Sequence, residues 1–165
     1  MPTRTARATW NGTLREGNGT FQGESGAINA NYSFGSRFDQ ATGSNPEELL
    51  AAAEAACYSM ALSGALEKNG TPATRVDTEA QCTIAPADGG FKITTMHLTV
   101  RAVVPNIDDA TFQQLANETK AGCPVSKALS GNVELTLDAS LVDEGQVNQA
   151  TASSRRGGTF PNIRV

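Results

Sequence analysis

Between Ser44 and Gly70 the chain reads SNPEELLAAAEAACYSMALSGALEKNG. Leu49, Leu50, Ala53, Ala56, Cys57, Met60, Ala61 and Gly64 recur at the spacing of one helical face. The start carries its own signal, with Asn45 as cap, Pro46 at the first helical position and Glu48 placed to close a capping box. Lys68 and the Asn69-Gly70 pair suit the other end. So many alanines leave little bulk along the sides, which predicts a central, buried helix that neighbours approach closely.

The flanking patterns have a different period. Residues 4–14 and 19–34 hold short β-prone runs separated by Asn-Gly and Gly-Glu-Ser-Gly turns, which predict two or three antiparallel strands. A turn-rich connection, GSRFDQATGS, follows at 35–44 and puts Arg37 on a glycine-containing loop. Residues 73–84 and 91–103 form a second meander across a turn at 86–90. In the second run Met96, Leu98, Val100 and Ala102 alternate against Phe91, Ile93 and His97. His97 therefore shares a face with apolar residues and reads as a core or edge histidine bonded to a neighbour. Phe112, Leu115 and Ala116 mark an amphipathic helix over 108–122. Cys123-Pro124 restarts a short helical turn, and 132–142 alternates as a last strand. From 143 to 165 the chain turns to Gly, Ser, Asn, Gln and Arg, a composition read as a flexible tail on a single domain spanning 1–142.

With 39% hydrophobic and 18% charged residues the chain belongs among globular proteins. A net charge of -4 and the lack of a basic cluster argue against a nucleic-acid partner. No apolar run approaches the roughly 18 residues of a membrane span, and the N-terminus lacks a signal core. The expectation is a cytoplasmic protein. Three widely spaced cysteines, Cys57, Cys82 and Cys123, do not make a disulfide framework, and one histidine leaves little for a zinc site.

If cysteine matters here, it acts as a thiol. Cys57 is either a small core residue of the helix or a nucleophile. Cys123, beside Pro124, is either an ordinary cap or a thiol polarised by a helix N-terminus. Cys82, in a strand, reads as structural. Glu47 has no local role once Glu48 closes the cap. Arg37 is either solvated or the cation a reactive thiolate requires, with Glu47 fixing its fork.

The stretch YSFGSRFDQATGSNPEELLAAAEAACYSMALSGAL, followed by AGCPVSKAL, resembles the OsmC/Ohr family of thiol peroxidases, and the OsmC branch more than the Ohr branch. The resemblance covers roughly 4–142. It implies an α+β, OsmC-like fold of antiparallel strands wrapped around central helices, in an intertwined homodimer with active sites at the interface. It also implies that Cys57 is the peroxidatic thiol and Cys123 the resolving thiol, with Arg37 and Glu47 as the activating ion pair.

The implied reaction reduces organic hydroperoxides, and hydrogen peroxide with them, through a sulfenic acid and an intramolecular disulfide. An external dithiol resets it, and no metal, haem or flavin takes part. Phe38, Tyr58, Met60 and Phe112 are candidates for an apolar wall. The alternative is a non-catalytic redox sensor or binding protein. Thiol-based acyl transfer is a weaker third reading, since His97 is its sole possible base. One departure stands out, because the OsmC branch often carries histidine where this chain has Glu54. A carboxylate about 5.5 Å from the Cys57 thiolate would oppose it by about 3 kcal/mol at an effective dielectric of about 20.

Overall fold

The structure is a computed structural model that describes residues 1–143. The tail expected over 143–165 lies, from 144 onward, outside the described residues. Three strands open the chain: β1 (Ala6–Asn11), β2 (Asn18–Gly23) and β3 (Asn29–Ser33), paired as an antiparallel meander. The connection to the long helix is not all loop. Phe34–Phe38 forms a short helix, α1, because Ser33 and Ser36 cap each other reciprocally. Ser36 Oγ also donates to the Ser44 carbonyl at 2.8 Å, and Asn45 Nδ2 donates to the Ser36 carbonyl at 3.2 Å. These bonds stitch α1 to the start of the next helix and set Arg37 on a rigid element.

That helix, α2 (Pro46–Lys68), runs as the pattern requires. Asn45 Oδ1 accepts from the Glu48 backbone N–H at 2.8 Å, but the Glu48 carboxylate takes a hydrogen bond from Ser44 Oγ rather than closing a capping box. Two expectations need correction here. Within one chain α2 is only half covered: Glu47, Glu54, Tyr58, Leu62 and Leu66 are buried, while Ala52, Ala53, Ala56 and Met60 face outward. By length and composition α2 is also apolar enough to cross a bilayer, because alanines and glycine count as apolar despite their small size.

The second sheet is β4 (Arg75–Ala87), β5 (Gly90–Val103) and β6 (Glu134–Leu141), in that order. Asp88 and Gly89, both at positive φ, close the β4–β5 hairpin. A bulge shifts the register between Thr83 and Ile84 and leaves Thr94 without a partner. Ile93, opposite Ile84, therefore lies on the same face as Met96, and His97 falls on the outer face among polar residues. The simple alternation missed this one-residue change of phase. On that face His97 Nδ1 lies 2.7 Å from Thr136 Oγ1, and Nε2 lies 3.4 Å from Asp138. The last strand also differs from expectation: β6 joins β5 in parallel. The helices α3 (Asp109–Gly122) and α4 (Pro124–Leu129) carry the chain back across the sheet, as a parallel pair demands.

The core lies between α2, α3 and the inner face of the second sheet, where Tyr58, Leu62, Leu66, Leu98, Val100, Ala102, Phe112 and Ala116 pack together. Tyr58 donates to the Ala116 carbonyl at 2.9 Å, and Ser59 donates to Thr78 at 2.7 Å, so α2 is tied to both neighbours. The N-terminal meander is different. β1 is exposed along almost its whole length.

Leu62→Ala removes a fully buried side chain from this core and is expected to destabilise the fold by about 3 kcal/mol. Tyr58→Phe loses one hydrogen bond and is expected to cost about 1 kcal/mol. Urea unfolding at a fixed protein concentration measures both, and the order should be as given.

Candidate active site

Two pairs of side chains stand out, one at each end of the same stretch of α2. At the helix start, Arg37 Nε lies 3.2 Å from both carboxylate oxygens of Glu47, and Nη2 lies 2.7 Å from Oε1. Glu47 is buried and Arg37 partly open, so the fork is held while one side of the guanidinium remains reachable. The Arg37 guanidinium also lies 5.2 Å from the centre of the Phe38 ring. Trp10, Leu14, Tyr32, Phe34, Phe38 and Pro46 complete an aromatic cleft of about 250 Å³ around it. Tyr32 lies close across Gly19, where a Cβ would come within 2.5 Å of its ring.

The second pair is sulfur. Cys57, in the middle of α2, is half-buried, and Cys123, at the start of α4, is 1% exposed. The Cys123 thiol donates to Cys57 Sγ at 2.9 Å. Cys123 makes no side-chain capping bond to α4, because its sulfur is turned toward the other cysteine. Both are free thiols, as is Cys82 on β4.

The surroundings of Cys57 oppose ionisation. Burial raises its pKa most, the hydrogen bond it shares with Cys123 adds to this, and a backbone hydrogen bond from Val125 works the other way. The charges of Cys123 and then Glu54 raise it further. The acid one turn away thus acts in the direction its position implies, as a smaller contribution than burial. Cys82 is raised by burial and then by the Glu47 charge, which lies on its side of the fold.

Cys57 and Cys123 are therefore together, and so are Arg37 and Glu47, but one chain does not join the two pairs. Glu47 and Cys57 are ten residues apart on one helix, about 15 Å along its axis. Of the four residues considered for an apolar wall, Phe38 alone lines the cleft at Arg37. Tyr58 and Phe112 are core, and Met60 borders a groove of about 430 Å³ beside Cys123. The sequence reading missed Trp10, Tyr32 and Phe34, which are brought together only by the meander's register. It also missed Ser126, whose Oγ donates to Glu54 Oε1 at 2.5 Å. Its signal was available: Ser126 follows Cys123 by three residues, as Glu54 precedes Cys57 by three. Among the described residues no group of three or more His, Cys, Asp or Glu side chains could hold a metal ion.

A thiol on a long helix, touching a second thiol at the head of a short one over a mixed sheet, defines an α+β protein with a pair of adjoining thiols. The model of the OsmC-like protein family matches residues 39–138, and the chain belongs to that family. It is 45% identical over 136 residues to the peroxiredoxin OsmC of Escherichia coli, covering 82% of this chain and 94% of the relative. It is 37% identical over 98 residues to the organic hydroperoxide resistance protein OhrB of Bacillus subtilis, covering 59% of this chain and 70% of that one. The crystal structure of Bacillus subtilis OhrB superposes with a TM-score of 0.66 at 30% identity, over 82% of this chain and 98% of that chain. The OsmC-like protein of Mycoplasma pneumoniae shares the fold at a TM-score of 0.66, covering 86% of this chain and 99% of the other.

Glu54→Gln removes one of the influences that keep Cys57 protonated. The rate of Cys57 alkylation against pH should have its midpoint at lower pH in the variant than in the parent protein. An unchanged midpoint would mean that the buried carboxyl is electrically silent toward the thiol.

Proposed function

We propose that the chain is a cysteine-based peroxidase for organic hydroperoxides, and for hydrogen peroxide with them. The observation that carries this reading is the 2.9 Å contact between Cys57 and Cys123. Cys57 thiolate attacks the terminal peroxide oxygen, the O–O bond breaks, and an alkoxide leaves to take a proton as alcohol. The product is Cys57 sulfenic acid. Cys123 then attacks that sulfur, an S–S bond forms and water leaves. An external dithiol returns both cysteines to thiols by exchange. The names of the relatives, a peroxiredoxin and hydroperoxide resistance proteins, support the substrate class. The protein itself supplies only side chains to this scheme.

The thiolate needs a cation, and within the chain Arg37 is held by Glu47, whose backbone lies about 15 Å along α2 from that of Cys57. Unit charges at 4 Å interact by about 4 kcal/mol at an effective dielectric near 20, whereas at about 15 Å the figure falls to about 1 kcal/mol before salt screening. Glu47 cancels much of even that. The site is therefore completed by a second copy, whose Arg37, held by its Glu47, reaches Cys57 and offsets the effects that raise its pKa. The outward alanines and Met60 of α2 and the uncovered meander are apolar surfaces that such an obligate, intertwined dimer would cover. The aromatic cleft around Arg37 would then receive the organic part of the peroxide.

The raised pKa of Cys57 in a single chain favours one alternative, a thiol switch that oxidises once and stops. Steady-state consumption of cumene hydroperoxide with a dithiol reductant separates the two. The parent protein should turn over repeatedly, Cys57→Ser should be inactive, and Cys82→Ser should keep nearly full activity. Oxidation that ends after one equivalent would establish the switch instead.

Assembly has its own test. Sedimentation at micromolar concentration should show dimer without appreciable monomer. Arg37→Met and Cys57→Ser proteins, each inactive or slow alone, should regain activity when refolded together, because a mixed dimer has one site with both an intact Cys57 and an intact Arg37 facing it. No recovery on mixing would place both residues in sites of the same chain and overturn the shared-site arrangement.

A further inference from the structure

The scheme above gives no task to Glu54, yet this carboxyl is fully buried and Ser126, its partner, is 3% exposed. Oε1 accepts from Ser126 Oγ at 2.5 Å, while Oε2 is buried without a partner. Burying a carboxyl costs free energy that an apolar side chain of similar volume would not. What the carboxyl has and an apolar group lacks is direction. Its one bond runs from α2 to α4, the same two helices that carry the sulfurs.

The positions form a ladder. Glu54 precedes Cys57 by three residues, and Ser126 follows Cys123 by three, so each pair lies one turn apart on one side of its helix. The carboxyl–hydroxyl contact at 2.5 Å and the sulfur–sulfur contact at 2.9 Å are thus adjacent rungs between antiparallel runs of α2 and α4. α4 has six residues and its Cys123 cap gives no side-chain bond, so little within the helix itself fixes its rotation. A slip of one residue would turn Cys123 through about 100° and away from Cys57.

We infer that Glu54, acting through Ser126, is a positioning residue that holds Cys123 against Cys57 for disulfide closure. This rests on the two-cysteine reading above. The step it serves is Cys57–S–X plus Cys123–SH giving the Cys57–Cys123 disulfide plus HX. The S–X and S–H bonds break, the S–S and H–X bonds form, and X is hydroxyl after peroxide or a thiol group after disulfide exchange.

The second kind of X allows a test independent of peroxide. Full-length protein carrying Cys82→Ser is mixed with 5,5′-dithiobis(2-nitrobenzoate), and release of the coloured thiol is followed. The first equivalent reports attack by Cys57, and the second reports closure by Cys123. Ser126→Ala is expected to slow the second phase about tenfold, the loss of one directional hydrogen bond, and to leave the first nearly unchanged. Ser126→Thr, which keeps the hydroxyl, should restore closure. Glu54→Gln, which keeps the acceptor, should close faster than Glu54→Ala. The Glu54→Ala/Ser126→Ala double variant should be no slower than Glu54→Ala, as required if both act through one bond.

Unchanged closure in Ser126→Ala, or equal slowing of both phases, would overturn the inference. If Glu54→Ala fails to fold, the two Ser126 variants decide. A parallel arm traps sulfenic acid at Cys57 with dimedone after one equivalent of cumene hydroperoxide, and Ser126→Ala should trap more than its parent. If the parent forms neither sulfenic acid nor disulfide with peroxide, the peroxidase reading falls while the exchange arm still judges the role of Glu54.

Discussion

A straight helix cannot bring together residues ten positions apart. α2 carries Glu47 near its start and Cys57 at its middle, and its rigidity sets the distance between the charged pair and the thiols. Everything chemical in the protein follows from that separation. The Arg37–Glu47 fork has a lined cleft but stands apart from Cys57 along the helix, whereas Cys57 and Cys123 have each other. A flexible connection would let the halves fold back on one another within the chain. A helix capped by Asn45 and tied by Tyr58 and Ser59 to its neighbours does not.

The alanine content of the same helix gains its meaning from this. On one face Tyr58, Leu62 and Leu66 meet the sheet and α3 in an ordinary core. On the other face, small side chains leave the backbone open to close approach by a further layer. A helix meant for water would carry lysine and glutamate there, as the two ends of α2 do. Glu54 does not break this pattern, because it points into the protein, where one of its oxygens accepts from Ser126.

Much of this was readable in the sequence, and the failures have physical causes. The long helix, its cap and its end follow from local chemistry and were fixed within a few residues. The two cysteine-bearing motifs pointed to Cys57 and Cys123 through their resemblance to the OsmC/Ohr family, and the structure places those two sulfurs 2.9 Å apart. Three things were not local. The bulge at Thr94 moved Ile93 to the other face of β5 and left His97 outside, because a one-residue insertion leaves no mark on an alternating pattern. The parallel placement of β6 depends on how α3 and α4 cross the sheet, which no strand records in its own residues. Arg37 was expected on a loop because Gly35 and the polar run after it read as turn material, while the reciprocal Ser33–Ser36 cap that builds α1 needs only two serines three apart. The aromatic cleft, drawn from β1, β3 and α1, is likewise a product of register.

The unequal burial of the two sulfurs gives their redox chemistry a direction. Cys57 meets the surface, while Cys123 is enclosed by α2, α3 and α4. A bond between them would offer solution only one of its two ends. On the proposed scheme a thiol arriving to open it would add to the more exposed Cys57 sulfur and expel Cys123, whose own sulfur offers almost no surface. The incoming reductant would therefore be held for a moment on the same atom that meets the oxidant. On that scheme entry and exit of electrons would share one door, and the enclosed thiol would be spared direct encounter with either reagent.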